Sequence, residues 1–201
     1  MKFFDVTLPL SPYLVSWPGD VKFSRKERHR EATTSRLVIS SHAGTHIDAP
    51  RHFFFRKSGV DAIALSKLVG RVRVVSVNAR RLIMPSDINF EPKRGDKILF
   101  KTRNFSLVNK RKFTADYVSM SLEAARILAR KKVDLVGIDY LGIEAADAPG
   151  FPVHKVLLRA GVVILEGLDL SRIQKGQWNI AALPLKIKNG DGSPCRVVVW
   201  K

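Results

Sequence analysis

Residues 41–53, SHAGTHIDAPRHF, restrict the local fold more than any other stretch of the sequence. Four polar residues of this stretch are even-numbered: His42, His46, Asp48 and His52. In an extended chain successive side chains alternate between two faces, so all four would project from one face. A helix, at about 100° per residue, would turn Asp48 roughly 120° away from His42. The spacing therefore predicts an extended segment with its polar groups on one side.

The same segment is also expected to bend. Ten fully extended residues span about 33 Å, which is too far for the side chains to surround one ion. Gly44 and Pro50 both disfavour helix and are the expected bending points. Two imidazoles and a carboxylate suit zinc, manganese or iron(II), and a further histidine could act as an acid or base. The alternative is a set of polar strand residues with ordinary hydrogen bonds, but burying them without a cation would be costly.

A second pair of candidate ligands lies far downstream. Glu166 interrupts the apolar run of residues 161–168, GVVILEGL, where a buried carboxylate should be paired or bound to a metal. No basic residue occurs between Ala160 and Ser171, so the cation must come from elsewhere. Taken alone, His154 fits a helix end or a core position, and Glu166 fits a salt-bridged strand residue. Beside the upstream motif, both are predicted metal ligands.

Length and composition indicate one soluble domain. The chain has 201 residues, so we expect a single domain over residues 1–201. Residues 1–10, MKFFDVTLPL, lack the unbroken apolar stretch of a secretory signal, and no run reaches transmembrane length. This pattern predicts a cytoplasmic protein without a membrane partner. Cys195 is the only cysteine, which excludes an internal disulfide and a thiolate zinc site, so any metal must use histidine and carboxylate.

The charge balance is strongly basic, with a formal net charge of +17. Basic residues crowd residues 22–30 and 93–112, and the second stretch contains Asp96 as its one acid. Such stretches are typical of a solvated face, and the alternative is a surface that binds nucleic acid. No RNA-binding or helix-turn-helix signature accompanies them. The sequence therefore favours a small-molecule substrate over nucleic acid as the partner.

Short runs rich in β-forming residues alternate with helical ones. Strands are predicted at residues 3–8, 36–41, 71–77, 97–101, 133–138 and 162–166, and near 180–187 and 196–200. Ser121 is expected to cap a helix that ends near Lys131, and Pro152 to open a short helix over residues 153–159. The pattern predicts a mixed α/β domain with more strand than a simple doubly wound fold needs.

Residues 42–52 resemble the H-x-G-T-H-x-D-x-P-x-H signature of the cyclase-like metal hydrolases, a family that includes bacterial-type kynurenine formamidases and isatin hydrolases. Further similar stretches lie along nearly the whole chain: WPGD at 17–20, VGIDY at 136–140, PVHKVLL at 152–158, ILEGL at 164–168, LPLKI at 183–187 and GSP at 192–194. The resemblance implies a mixed sheet in a swivelling β/β/α domain. It also implies a homodimer or a larger assembly such as a tetramer.

The resemblance further implies a metal centre with zinc, two ions per chain, and manganese as the alternative. It assigns His42, His46 and Asp48 to the first ion. Asp48 would also bridge to a second ion, held by His154 and Glu166.

Other residues match positions around the reaction centre of this family. His52 matches its catalytic histidine. Trp17 falls where formamidases place an aromatic ring against the substrate, although a loop tryptophan could equally serve packing. Phe53 is a second candidate for the same wall. Gly142 stands where many relatives have a serine, so one polar contact is expected to be missing.

The implied activity is hydrolysis of a carbon–nitrogen bond, as an arylformamidase acting on N-formylkynurenine in tryptophan catabolism. A dication lowers the pKa of bound water from about 15.7 towards 7, and His52 would manage the protons. No G-x-S-x-G elbow occurs, and no histidine lies near Cys195 in the sequence, which argues against covalent catalysis. Two alternatives stay open: opening of a cyclic amide or ester, as by isatin hydrolases, and a basic nucleic-acid-binding protein with a structural metal.

Overall fold

The computed structural model describes residues 1–108, 110 and 112–201. Arg111, in the second basic stretch, lies outside the described residues, as does Asn109. The strands are β1 Phe3–Asp5, β2 Ser24–His29, β3 Thr33–Val38, β4 His46–Asp48, β5 Val69–Ser76, β6 Leu82–Ile83, β7 Lys97–Lys101, β8 Ser119–Met120, β9 Leu135–Ile138, β10 Val163–Glu166, β11 Gly176–Pro184 and β12 Gly192–Trp200. The α-helices are α1 Phe105–Val108, α2 Leu122–Lys131 and α3 Pro152–Arg159.

Seven strands close into a ring. The main sheet has the order β1-β12-β11-β5-β7-β9-β10-β4, and β4 also pairs with β12. Strands β5, β7, β9 and β10 run parallel to one another, and the other pairs of this sheet are antiparallel. The short strand β4 is therefore held on both sides, by β10 and by the start of β12, and it closes the barrel.

The parallel strands β9 and β10 are buried on both faces. Every residue of β9 and β10 is buried, as expected for parallel strands covered on two sides. One face of the sheet fills the barrel interior, with Leu99, Leu135 and Leu165 among its apolar residues. The opposite face packs against α2 and α3, with Ile138 and Ile164 among its contacts. The molecule thus has two apolar layers separated by one sheet.

Side-chain alternation places polar groups of β4 and β10 on the helix side of the sheet. Ile47 and Leu165 point into the barrel interior. Their neighbours His46, Asp48 and Glu166 must then point to the opposite face, because successive side chains of a strand alternate. All three are buried, with 1–3% of their surface exposed. The barrel therefore presents two carboxylates and an imidazole towards α3.

The mixed α/β class predicted from the sequence is confirmed, and most predicted elements appear with shifted ends. Helix α2 begins after Ser121, whose side chain accepts a hydrogen bond from the Ala124 N–H, as expected for an N-cap. Helix α3 begins at Pro152 as predicted. The strand predicted at residues 36–41 instead lies at Thr33–Val38, paired with β2.

The extended conformation predicted for residues 42–52 is limited to a short part of that segment. The regular strand is limited to β4, and residues 50–52 form a 3₁₀ turn that begins at Pro50. Gly44 has φ +62°, a left-handed conformation that turns the chain between His42 and His46. Both bends expected from the sequence are present. They bring His42 and His52 towards β4 by chain reversal rather than by strand alternation.

The two basic stretches differ in their burial. Residues 24–29 of the first lie in β2, which is exposed along its whole length in the β2–β3 hairpin. The second stretch contains β7, a central strand whose Lys97 is buried beside Asp134 at 3.6 Å. None of the described helices has the length and apolarity needed to cross a membrane.

The single cysteine lies at the barrel closure. Cys195 is buried in β12, and its backbone N–H donates to the Thr45 carbonyl at 3.0 Å. Burial raises the pKa of its thiol to about 12. The side chain therefore remains a protonated thiol and acts as a small apolar group of the interior.

Gly167, which follows β10, has φ +69°, and a Cβ atom there would collide with the Gly44 carbonyl. Gly150 has a similar φ of +74° but open space around it. Gly150→Ala should cost about 1–2 kcal/mol of unfolding free energy for the left-handed backbone alone. Gly167→Ala should cost a further 1–3 kcal/mol or so, because backbone must move. Chemical unfolding of both variants would measure the difference, and equal costs would show that the contact between the two segments is not tight.

Candidate metal centre

The strand register brings His46, Asp48 and Glu166 together. In the pairing of β4 with β10, Glu166 lies opposite His46, and Ile164 lies opposite Asp48. The Nε2 atom of His46 is 3.3 Å from Glu166 Oε2 and 3.5 Å from Asp48 Oδ1. The other ring nitrogen of His46, Nδ1, donates to the Gly44 carbonyl at 2.9 Å. The backbone turn at Gly44 thus orients this imidazole towards both carboxylates.

His42 reaches the same place through the turn. Its Nδ1 atom is 2.9 Å from Asp48 Oδ1, and its Nε2 atom is 2.9 Å from Asp191 Oδ2. Asp191 directly precedes β12, whose Gly192 pairs with Asp48. A Cβ atom on Gly192 would lie 2.6 Å from His42 Cε1, so only glycine leaves room for the ring.

Helix α3 supplies the remaining histidine. His154 lies in its first turn, with its Nε2 atom 3.4 Å from Glu166 Oε1 and 3.7 Å from Asp48 Oδ2. Its Nδ1 atom is 2.7 Å from Glu144 Oε2. The fold therefore joins residues more than a hundred positions apart, and all five predicted metal ligands converge on one point.

The donor set fits a metal ion. Nitrogen and oxygen atoms of His42, His46 and Asp48 lie within 4.8 Å of one another, and so do those of Asp48, His154 and Glu166. A tetrahedral ion with bonds of about 2.0–2.1 Å holds its ligand atoms about 3.3 Å apart, close to the separations between these side chains.

Asp48 Oδ2 gives independent support for a cation. Among the described residues it is the one buried side-chain oxygen or nitrogen atom without a hydrogen-bond partner. A buried, unpartnered carboxylate oxygen is costly, and a cation would satisfy it.

The carboxylates are held in their charged form. Burial raises the pKa of Asp48, but the hydrogen bond from His42 and the nearby imidazoles lower it well below its usual range. For Glu166, burial and the charge of Asp48 raise the pKa, whereas hydrogen bonds with His154 and His46 lower it below its usual value. Both side chains therefore offer the anionic oxygens that a cation needs.

For the histidines, burial lowers the pKa and hydrogen bonds with carboxylates raise it. Burial lowers the pKa of His42, but its hydrogen bonds with Asp191 and Asp48 raise it to about 10. Burial also lowers the pKa of His154, and hydrogen bonds with Glu144 and Glu166 raise it to about 10. These imidazoles keep protons that a metal ion would displace on binding.

His52 lies beside His42 but is not among the predicted metal ligands. Its ring centroid is 4.0 Å from that of His42 and 4.4 Å from that of Phe53, and its Nδ1 atom is 3.9 Å from Asp191 Oδ2. Burial lowers the pKa of His52; Asp48 opposes this shift, and the neighbouring imidazoles add to it. The imidazole is therefore neutral at pH 7 and able to accept a proton.

A cavity of about 240 Å³ opens over these residues. Its lining includes Trp17, Asp20, His42, His46, His52, Phe53, Leu141, Gly142, Glu144, Ala145, Phe151, His154 and Glu166. The predicted wall residues Trp17 and Phe53 both line it, and Phe151 joins them, with its ring centroid 5.3 Å from that of Phe53. A Cβ atom on Gly142 would lie 2.9 Å from the Trp17 ring, so the tryptophan occupies space that a larger residue would take.

Sequence reasoning missed Asp191, Glu144 and Phe151. Asp191 directly precedes the similar stretch at residues 192–194, Glu144 lies two residues after Gly142, and the chain has only 18 acidic residues. Because acidic residues are few in this basic chain, each one could have been considered as a partner for the predicted histidines. Phe151 carried no comparable signal, since its position depends on a left-handed backbone with φ +54° before α3.

Comparison with known proteins places the chain among metal-dependent hydrolases. A kynurenine formamidase of Salinibacter ruber is 33% identical over 99% of this chain and 97% of that relative. A structure described as a "predicted metal-dependent hydrolase" from Bacillus stearothermophilus is 35% identical, with a TM-score of 0.88 over 98% of this chain and 97% of that one. Isatin hydrolase A of Ralstonia solanacearum, 23% identical, shares the fold with a TM-score of 0.83 over 98% of this chain and 91% of its own.

These likenesses confirm the cyclase-like fold expected from the resemblance, and with the clustered ligands they indicate a metal-binding hydrolase. The Cyclase family model, described as "Putative cyclase", matches residues 4–145. That match covers more than half of the sequence, and the chain therefore belongs to the cyclase family of hydrolases.

Proposed function

We propose that this chain hydrolyses a carbon–nitrogen bond as an arylformamidase, with N-formylkynurenine as the substrate. The observation that carries the proposal is the convergence of five candidate metal ligands at the base of a cavity walled by aromatic side chains. The full-length likeness to a kynurenine formamidase supports the same substrate class.

In this proposal His42, His46 and Asp48 hold one ion, and Asp48, His154 and Glu166 hold a second. Zinc is the proposed metal, with manganese as the alternative. When bound, a divalent cation supplies Lewis acidity, which lowers the pKa of water and stabilises negative charge on a carbonyl oxygen.

The protein's own residues orient the substrate and move the protons. Trp17, Phe53 and Phe151 line the cavity with aromatic rings against which an aryl ring can stack. His52 is neutral and lies beside the ligand cluster, so it accepts a proton from the attacking water. The water oxygen bonds to the formyl carbon, the carbon–nitrogen bond breaks, and His52 returns the proton to the departing nitrogen. The products are a free aryl amine and formic acid, which releases its proton to water and becomes formate.

Several features of this proposal extend beyond the catalytic site. A homodimer or larger assembly, a cytoplasmic location and a role in tryptophan catabolism stay predictions. Nucleic-acid binding is expected to be weak and to disappear at moderate salt.

The direct test is hydrolysis by purified protein of N-formylkynurenine, isatin and simple cyclic imides. Activity on the formamide should disappear with a chelator and return with zinc or manganese. Activity confined to isatin or the cyclic imides would replace the arylformamidase by a cyclic-amide hydrolase. Full activity after complete removal of metal would overturn the metal-dependent mechanism.

Replacement of His52 tests the proton-transfer role. His52→Ala should lower kcat by about 10²–10⁴-fold, the usual contribution of a general acid–base group, with bound metal unchanged by elemental analysis. His29→Ala is the matched control, because His29 is exposed on β2 outside the cavity lining. A loss smaller than tenfold in His52→Ala would count against the assigned role.

Glu166→Gln tests the number of ions. The substitution preserves shape but removes a charged ligand, so metal content should fall from near two ions per chain to near one, together with activity. Glu123→Gln in the first turn of α2 is an exposed control that should retain both. Unchanged metal content in Glu166→Gln would contradict the two-ion arrangement.

A further inference from the structure

We propose that Asp191 and Glu144 are positioning residues, each of which holds one histidine of the centre in the tautomer that leaves its other nitrogen free for a metal. The inference rests on the proposed function, because it concerns the same centre. Neither carboxylate belongs to the five candidate ligands. Each contacts the far side of an imidazole whose other nitrogen faces Asp48.

The contact of Asp191 fixes the ring of His42. An ionised carboxylate can only accept hydrogen bonds, so the 2.9 Å contact requires a proton on His42 Nε2. The Nδ1 atom, 2.9 Å from Asp48 Oδ1, also carries a proton in the metal-free chain, and it is this proton that an ion beside Asp48 would displace while Asp191 keeps the one on Nε2. The Ser41 hydroxyl also donates to Asp191 Oδ2 at 3.1 Å, which orients the carboxylate.

The backbone around Asp191 is held independently of its side chain. The Ala49 N–H donates to the Asp191 carbonyl at 2.9 Å, and the Val60 N–H donates to the Gly190 carbonyl at 2.8 Å. Asp61 Oδ1 accepts a hydrogen bond from the Asn189 N–H in the same loop. Loss of the Asp191 carboxylate should therefore affect the His42 ring and leave the loop in place.

Glu144 fixes the ring of His154 in the same way, but here the carboxylate contacts Nδ1 and the nitrogen that faces the centre is Nε2. Its Oε2 atom is 2.7 Å from His154 Nδ1, so the proton lies on Nδ1 and Nε2 faces Asp48 and Glu166. Glu144 also accepts hydrogen bonds from the backbone N–H groups of Val153 and His154 at the start of α3. Both of its oxygens are thus used as acceptors, and the side chain is only 2% exposed.

His46 provides the internal comparison, because its Nδ1 atom is anchored by the Gly44 carbonyl instead of a carboxylate. All three histidines are therefore fixed from behind, but only His42 and His154 are fixed by a charged group. A carboxylate behind an imidazole makes it a stronger ligand, and the loss of such a partner typically lowers metal affinity by about 10–100-fold.

The two carboxylates should act on different ions, and this separates positioning from a general structural role. Metal-stripped wild type, Asp191→Ala and Glu144→Gln would be titrated with Zn²⁺ against a chromophoric chelator. Asp191→Ala should weaken one binding event by about 10–100-fold, and Glu144→Gln should weaken the other. Glutamine suits this test because it keeps the volume but has one acceptor oxygen for contacts that now use two.

Asp61→Asn is the matched control, because the Asp61 carboxylate accepts from the Asn189 backbone N–H of that loop and not from a histidine. The two zinc affinities of this variant should stay within about threefold of wild type, a much smaller change than the loss of a positioning carboxylate would cause. The nitrogen-15 spectrum of zinc-loaded wild type gives a second readout, with the ring proton of His42 on Nε2 and that of His154 on Nδ1. The reverse tautomers would overturn the proposal.

Unchanged zinc affinities in both variants would also overturn the proposal. So would an equal loss of zinc affinity at both sites in each variant, accompanied by a matching drop in the stability of the metal-free chain. A wild-type chain that binds no zinc would have the same consequence. Zinc-loaded wild type that binds the ion as expected but does not cleave N-formylkynurenine would instead refute the proposed substrate and leave the positioning roles standing.

Discussion

Two carboxylates, Asp48 and Glu166, lie side by side on the helix face of the barrel, almost fully withdrawn from water. Charge buried in this way must be compensated, because an isolated buried ion costs several kcal/mol. No lysine or arginine among the described residues forms an ion pair with either side chain; histidines do. A histidine can exchange its proton for a metal ion, whereas a lysine ammonium would occupy the metal site.

The closure of the barrel and the geometry of the centre depend on the same short strand. β4 has only three residues, yet it pairs with both β10 and β12. A slip of one residue would turn His46 and Asp48 into the apolar interior and Ile47 out of it, so burial strongly favours the observed register. Glycines at 44, 167 and 192 allow the surrounding segments to approach closely enough to surround this strand.

Much of the centre could be predicted from the sequence, because its ligands carry strong local signals. His42, His46 and Asp48 belong to one motif, and Glu166 stands out as a charge inside an apolar strand. The route by which they meet could be predicted only in part. The bends at Gly44 and Pro50 were expected, but the even spacing suggested strand alternation as the cause of the arrangement, whereas a left-handed Gly44 and a 3₁₀ turn at Pro50 produce it. Asp191 escaped notice because its contact with His42 depends on the pairing of β12 with β4, a property of the closed barrel.

The buried cysteine at the closure gives the molecule a built-in chemical reporter. Thiolates react with alkylating reagents, and a thiol with a pKa near 12 in a closed interior is almost inert at neutral pH. Cys195 is hydrogen-bonded through its backbone to Thr45, next to the strand that carries His46 and Asp48. Its rate of alkylation should therefore track the transient separation of β12 from β4. As the chain's one cysteine, it makes the local opening equilibrium at the candidate centre measurable without an introduced label.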